Sequence, residues 1–223
     1  CKEKGQMKPQ LSLGTLIEQA GQFAQIESDH FDPAIYGVTD GKAIGTYFEH
    51  RFQVHLTERY TYKRGSWASG IDFPGLRVDM KVTRTTQPQS SCPFRSAGQK
   101  IYGLGYSLLV FVYEKIDDPA TETGRLNILN AIFVDQQRTA DFQTTVGIQQ
   151  ILQNDGNIDD LVAFMEDRRL PVDEIQAHKL AEEILQNPPE TGYLTISNAL
   201  QWRLQYRRVI EKAGEVDGIL RIR

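Results

Sequence analysis

The first quarter of the chain carries apolar residues with the period of an α-helix. From Leu11 to Ile26, and again from Gly41 to Tyr60, they recur every three or four positions among polar residues. A stripe of this kind lies along one face of a helix. The pattern therefore predicts two amphipathic helices, each of which buries one face in a core.

The pattern changes to that of β-strands in the middle of the chain. Two short candidate strands, Ser69–Asp72 and Leu76–Thr83, flank the turn-forming residues Phe73-Pro74-Gly75. Two longer apolar runs, Ser107–Glu114 and Leu126–Val134, predict buried strands. Between these two pairs of strands we expect a polar loop over residues 87–93 and a short helix over residues 94–104.

The last third of the chain is predicted to be mainly helical. The spacing of apolar residues and the breaks at Asn187-Pro188-Pro189 and Gly214 define the elements, which are helices over residues 147–153, 158–168, 172–186 and 196–213 and a terminal strand over residues 216–223. The predicted fold class is therefore mixed α/β with an α-rich C-terminal region. We expect a core over residues 1–145, with the N-terminal helices, and a helical region over residues 146–223, either separate or packed on that core as one domain.

Composition limits the class of protein. The chain has 223 residues, of which 40% are hydrophobic and 24% are charged, as in ordinary globular domains. No apolar run approaches the roughly 18 residues of a membrane-spanning helix, so no membrane segment is expected. The two cysteines, Cys1 and Cys92, do not make a disulfide framework, and we expect a reduced, cytoplasmic protein.

Charge is distributed unevenly along the chain, although the formal net charge is only -4. Between Asp117 and Glu190 there are 15 acidic and 5 basic residues, whereas the rest of the chain has 20 basic and 14 acidic residues. Basic surface outside that window can meet a phosphate backbone, because salt confines the electrostatic field to roughly 10 Å. Solvated helix faces would give the same distribution, so charge alone does not assign a nucleic-acid partner.

The segment over residues 70–83 carries the candidate chemistry. If its Pro-Gly step forms a two-residue turn, Asp72 lies opposite Arg77 and Gly70 lies opposite Asp79. One face of the hairpin then presents Asp72, Arg77, Asp79 and Lys81, and the other presents Ile71, Val78, Met80 and Val82. This alternation is typical of a half-buried hairpin, in which the two acids are diagonal neighbours.

Two carboxylates and an amine on one face are the groups that hydrolysis of a phosphodiester needs. Asp72 and Asp79 can share a divalent cation that neutralises developing charge and generates hydroxide. Lys81 can orient the attacking water or stabilise the pentavalent state. The alternative is a pair of ordinary surface salt bridges, Asp72 with Arg77 and Asp79 with Lys81, each worth about 0 to 1 kcal/mol.

The order of helix, acidic hairpin, helix and apolar strand resembles the PD-(D/E)XK nuclease superfamily over residues 41–134. Its signature is an acidic residue after a turn, then Asp or Glu, any residue and Lys on a strand, which Asp72, Asp79 and Lys81 match. The six-residue gap between the acids and the helix GKAIGTYFEHRF resemble the branch of restriction endonucleases and MutH-like mismatch-repair nucleases. In that branch a glutamate of the helix joins the site, and Glu49 is its counterpart.

This resemblance implies a restriction-endonuclease-like core and a type II restriction endonuclease that uses Mg²⁺ to hydrolyse DNA to 5′-phosphate and 3′-hydroxyl ends. The implied metal ligands are Asp72, Asp79 and, as a candidate, the backbone carbonyl of Met80; the other implied catalytic residues are Lys81, which positions the attacking water, and Glu49. A homodimer is expected if the target is palindromic, because symmetric cutting needs two sites related by a two-fold axis.

Polar and basic residues outside the hairpin are candidates for DNA contact, since amides read adenine edges and basic groups bind phosphate. The candidates are Gln87, Gln89, Arg95 and Lys100 after the catalytic strand and Asn198, Gln201, Arg203, Gln205, Arg207 and Arg208 on the predicted final helix. A solvated loop and packing helices would use the same residues. The alternatives to a restriction enzyme are a MutH-like enzyme that nicks one strand and a non-enzymatic DNA-binding regulator.

Overall fold

The computed structural model describes residues 8–65, 70–92, 95–197 and 202–223. The main elements, in chain order, are α1 (Leu13–Ser28), α2 (Gly41–Thr57), β1 (Val78–Arg84), β2 (Gln89–Cys92), α3 (Gly98–Tyr102), β3 (Ser107–Asp118), β4 (Thr123–Val134), α4 (Phe142–Gln153), α5 (Ile158–Asp167), α6 (Glu174–Gln186), β5 (Thr195–Ile196), β6 (Trp202–Gln205), α7 (Arg207–Lys212) and β7 (Ile219–Arg221). The predicted mixed α/β class is confirmed. None of the helices in the described ranges is long and apolar enough to cross a membrane.

The chain divides into two compact units, each built from separate stretches of sequence. The first comprises Cys1–Gln87, Leu109–Phe133 and Arg221–Arg223, and the second comprises Pro88–Leu108 and Val134–Leu220. The boundary predicted between residues 145 and 146 falls inside the second unit.

The first unit contains α1, α2 and most of a four-stranded sheet with the strand order β1-β3-β4-β7. Both helices begin at side-chain caps: Ser12 accepts a hydrogen bond from the Thr15 N–H, and Asp40 accepts one from the Lys42 N–H. The predicted apolar stripe of α2 is fully buried, and its phenylalanines pack with those of α1 and β3 at centroid distances of 4.7 to 5.6 Å. This core fixes α2 against β1.

The second unit contains α3 to α6, whose apolar faces form a core of their own, and a small antiparallel sheet with the order β2-β6-β5. Two predictions in this unit are wrong. Residues 89–92 form a strand and not a loop, and the described part of the helix predicted over residues 196–213 is replaced by β5, β6 and the short α7, with residues 198–201 outside the described residues. The physical reason is that Trp202 and Leu204 are buried while Arg203 and Gln205 are exposed, which is the period of a strand.

Candidate active site

The two candidate acids flank a tight turn in the first unit. Phe73 and Val78 form an antiparallel bridge with N···O distances of 3.0 and 3.3 Å, so residues 74–77 make the turn. The Leu76 N–H donates to the Phe73 carbonyl at 3.0 Å, and Arg77 adopts a left-handed conformation with φ of 54°. The predicted two-residue turn is therefore wrong, because the chain reverses over four residues.

This register changes which residues face each other. With Phe73 opposite Val78, Asp72 lies directly opposite Asp79 and is not its diagonal neighbour. Arg77 lies exposed in the turn and not opposite Asp72, so the predicted cross-strand position of these two residues is wrong as well. Of the predicted strand over residues 69–72, residue 69 lies outside the described residues and residues 70–72 are not in a strand.

Phe73 anchors the turn on the side opposite the acids. It is only 3% exposed, and its ring lies 6.4 Å from that of Phe52 and 5.6 Å from that of Tyr62. Val78, its bridge partner, is fully buried in the same core. Full burial of an apolar side chain is worth about 1.5 to 3 kcal/mol, so these two residues hold the adjoining acids in a fixed position.

The carboxyl groups of Asp72 and Asp79 lie close enough for the charge of Asp79 to act on Asp72. Asp79 is 4% exposed, and Asp72 Oδ2 accepts a hydrogen bond from the Met80 N–H at 2.8 Å. Burial, followed by the negative charge of Asp79, raises the pKa of Asp72 to about 7. The repulsion favours the protonated form of Asp72, because two like charges so close together do not both ionise freely.

Lys81 and Glu49 complete the cluster. Lys81 Nζ lies 2.7 Å from Asp79 Oδ2, and the burial of Asp79 distinguishes this contact from an ordinary surface salt bridge. Glu49 lies on α2, where its Oε1 accepts a hydrogen bond from Gln53 Nε2 at 3.0 Å, and its charge also raises the pKa of Asp72. The structure thus places Asp72, Asp79 and Lys81 at one end of the hairpin and Glu49 near enough for its charge to act on Asp72, and the catalytic roles of the four side chains stay a prediction.

The donor set fits Mg²⁺. Carboxylate oxygens are its preferred protein ligands, and Mg²⁺ in enzymes of phosphate chemistry is commonly held by one or two carboxylates and completed by substrate phosphates. Asp72 and Asp79 supply two such groups, and a cation between them would offset the repulsion that contributes to the raised pKa of Asp72. Among the described residues, no group of three or more His, Cys, Asp or Glu side chains forms a complete metal cage. A site completed by the substrate is consistent with both observations.

Two of the predicted DNA-contacting residues are packed inside the second unit. Lys100 is 3% exposed, with Nζ 5.5 Å from the ring centre of Trp202, and burial lowers its pKa. Its predicted contact with phosphate is therefore wrong. The guanidinium of Arg208 lies 3.7 Å from the ring centre of Phe142, and this side chain is only partly exposed.

The other predicted DNA-contacting residues are open to solvent or lie outside the described residues. Gln87, Arg95, Arg203, Gln205 and Arg207 are exposed, and Gln89 is partly exposed. Asn198 and Gln201 lie outside the described residues. Their predicted placement on one final helix is wrong for the described members, because Gln205 is on β6 and Arg208 is on α7.

Sequence comparisons identify the family. The family model described as type II restriction enzyme NspV matches residues 10–221. The type II restriction enzyme NspV of Nostoc sp. (strain ATCC 29411 / PCC 7524) is 62% identical over 212 residues, which cover 95% of this chain and 96% of that protein. The solved structure of the tetrameric restriction endonuclease SfiI bound to cognate DNA has 13% identity and a TM-score of 0.40, covering 96% of this chain and 88% of that chain. On its sequence, the chain belongs to the NspV family of type II restriction enzymes and is a sequence-specific DNA endonuclease.

Proposed function

We propose that this enzyme cleaves DNA in a Mg²⁺-dependent reaction at the site formed by Asp72, Asp79, Lys81 and Glu49. The observation that carries the proposal is the buried carboxylate of Asp79, which lies opposite Asp72 across the hairpin and has the ammonium group of Lys81 2.7 Å away. Hard oxygen donors beside a cation are what phosphodiester hydrolysis requires. The same arrangement supports the assignment of the chain to the PD-(D/E)XK superfamily, which is part of this proposal.

Each side chain has its own task in this proposal. Asp72 and Asp79 hold the metal, with the Met80 backbone carbonyl as a candidate further ligand. When bound, Mg²⁺ supplies a Lewis acid and a hydroxide at neutral pH. Lys81 positions the attacking water and stabilises negative charge on the pentavalent phosphorus, while Glu49 adds negative charge beside Asp72. The products are 5′-phosphate and 3′-hydroxyl ends.

The oligomer that we propose is a homodimer with a palindromic target. A two-fold axis then relates two active sites to the two strands of the duplex. Sizing in solution should give twice the mass of the chain, and supercoiled plasmid should become linear. A monomer that converts plasmid only to open circles would instead favour the MutH-like nicking enzyme. Membership of a restriction-enzyme family already excludes the non-enzymatic regulator.

Digestion of plasmid DNA tests the active site. The wild type with Mg²⁺ should give discrete fragments, with EDTA it should give none, and the fragments should religate without prior phosphorylation. Asp72→Asn should reduce cutting by about 10² to 10³-fold, the usual effect of removing one electrostatic group from such a site. Asp167→Asn is the control, because Asp167 is exposed at the end of α5. Wild-type cutting by Asp72→Asn, or ends that need phosphorylation, would overturn the proposal.

A further inference from the structure

The small sheet of the second unit has two chemically different faces. Its buried face carries Cys92, Ile196, Trp202 and Leu204, each at most 4% exposed, together with the partly exposed Ser90. Its opposite face, defined here as the polar face, consists of Gln89, Ser91, Thr195, Arg203 and Gln205. Ser91 and Thr195 join this face through the pairing of distant segments.

The register arranges the polar face in two rows. Gln205 lies opposite both Gln89 and Thr195, and Arg203 lies opposite Ser91. Directly opposed side chains have Cβ atoms about 4.5 to 5.5 Å apart, and successive rows on one face are separated by roughly 7 Å. Two amides and a hydroxyl therefore form one row, and a guanidinium and a hydroxyl form the next.

Contacts on the buried face of the small sheet and at the end of β6 hold the two rows in place. Trp202 packs against Lys100 on the buried face, which gives the buried lysine a structural role. The Tyr206 hydroxyl lies 2.5 Å from Ser90 Oγ, and the Tyr206 N–H donates to the Pro88 carbonyl at 2.8 Å. These contacts tie β2 to the end of β6. Side chains on such fixed elements keep their spacing when they meet a ligand.

We propose that the polar face reads base edges in the major groove of the DNA target, and the proposal rests on the endonuclease activity of the family. Glutamine can bind adenine N6 and N7, and arginine can bind guanine O6 and N7. A β-ribbon fits the major groove, which is about 12 Å wide. The face carries no carboxylate, although the neighbouring window from Asp117 to Glu190 is strongly acidic. Its one formal charge, on Arg203, complements DNA.

The proposal assigns recognition to β2 and β6 and not to a helix. Gln89, Arg203 and Gln205 are the residues whose side chains give the most specific base contacts. Arg207 lies two residues after Gln205 and is exposed, and the proposal assigns it to contact with phosphate. The recognition residues thus belong to the second unit, whereas the catalytic carboxylates belong to the first.

Sequencing of the ends cut from a randomised duplex library tests the inference. Gln205→Ala and Arg203→Ala should each relax the preference at one or more base positions by about tenfold to a hundredfold, the discrimination of a bidentate contact. Both residues are exposed, so neither truncation opens the core. Gln176→Ala and Lys179→Ala are matched controls, exposed on α6 of the same unit, and should keep the wild-type sequence.

Unchanged base preference in both variants would overturn the inference, as would a loss of rate that is equal at every sequence. If a variant no longer cuts, the duplexes it binds without Mg²⁺ are selected from the same library and judged by the same criterion. Asp79→Asn in parallel separates the two proposals. If Asp79→Asn loses cutting but selects the same bound sequences as the wild type, the result concerns the active site alone. Altered bound sequences in Gln205→Ala or Arg203→Ala concern the polar face.

Discussion

Acidic side chains are enclosed in the hairpin of residues 70–83, and polar side chains are exposed in the small sheet. The hairpin encloses Asp79 and holds Asp72 opposite it, where burial and the negative charge of Asp79 raise the pKa of Asp72. The small sheet leaves Arg203 and Gln205 in solvent. Buried like charges lower stability, whereas exposed polar residues are nearly neutral. The proposed catalytic residues therefore lower the stability of the fold, whereas the proposed recognition residues can be substituted with little effect on stability.

The two regions are nevertheless anchored alike. Each has an apolar reverse face with one buried aromatic residue, Phe73 behind the hairpin and Trp202 behind the small sheet, and both are 3% exposed. A side chain held on a rigid element is placed more accurately than one on a loop. The contrast therefore lies in the exposed or enclosed environment of the polar face, and not in how firmly the backbone is held.

Removal of the Lys81 ammonium group from the hairpin should have the largest effect on cutting. Lys81→Ala removes the cation 2.7 Å from Asp79, and cutting should fall by about 10² to 10³-fold with the cut sequence unchanged. Single-turnover rates on a sequenced substrate measure this. Lys42→Ala, exposed in the first turn of α2, should cut normally. A Lys81→Ala enzyme as fast as the wild type would remove Lys81 from the mechanism.

The pH dependence of the unfolding temperature should also distinguish the hairpin from the small sheet. Since the folded-state pKa of Asp72 is raised from 3.8 to about 7, its contribution to stability is complete below pH 4 and is lost as pH rises through 7. In EDTA, Asp72→Asn should therefore unfold at a higher temperature than the wild type at pH 8, and the gap should close towards pH 4. Each kcal/mol corresponds to about 2 to 4 °C in a chain of this size.

The matched variant for that experiment comes from the small sheet. Gln205→Ala should change the free energy of unfolding by less than about 0.5 kcal/mol at every pH, because its side chain is exposed. Thermal unfolding of the two variants side by side measures both effects. An Asp72→Asn protein less stable than the wild type at pH 8, or a Gln205→Ala protein that shifts with pH, would contradict the contrast.

The smallest effect is expected beside the small sheet. Arg207→Ala removes one exposed charge, and binding should weaken uniformly across sequences, with the salt dependence of the binding constant reduced by about 0.9 in logarithmic slope. Titration of labelled duplexes at several salt concentrations measures the slope. Relaxed preference at one base pair would instead make Arg207 a base-reading residue.

The hairpin could be predicted because its information is local. Asp72, Asp79 and Lys81 lie within ten residues, and the apolar alternation around them already separates the two faces. The turn length could not be predicted in the same way. Pro74-Gly75 is typical of a two-residue turn, but the fold extends the turn to Arg77 in a left-handed conformation that few non-glycine residues adopt. Burial of Phe73 and Val78 together decides the register.

The small sheet could not be predicted because its information is not local. Its strands β2 and β6 are more than a hundred residues apart in the chain and pair residue by residue. Each has four residues, too few for a period-two pattern to stand out, and the surrounding helical spacing favoured a helix over residues 196–213. The prediction that Lys100 contacts phosphate was wrong for a related reason. Only the tertiary fold shows that Trp202 covers this side chain.

The most direct test of the account compares cutting and binding of one duplex by Asp79→Asn. The duplex carries the recognition sequence read from the ends that the wild type produces. Asp79→Asn should bind it without Mg²⁺ as tightly as the wild type does, and should fail to cut it when Mg²⁺ is added. Cutting by Asp79→Asn at the wild-type rate would contradict the assignment of the buried carboxyl pair as the catalytic centre.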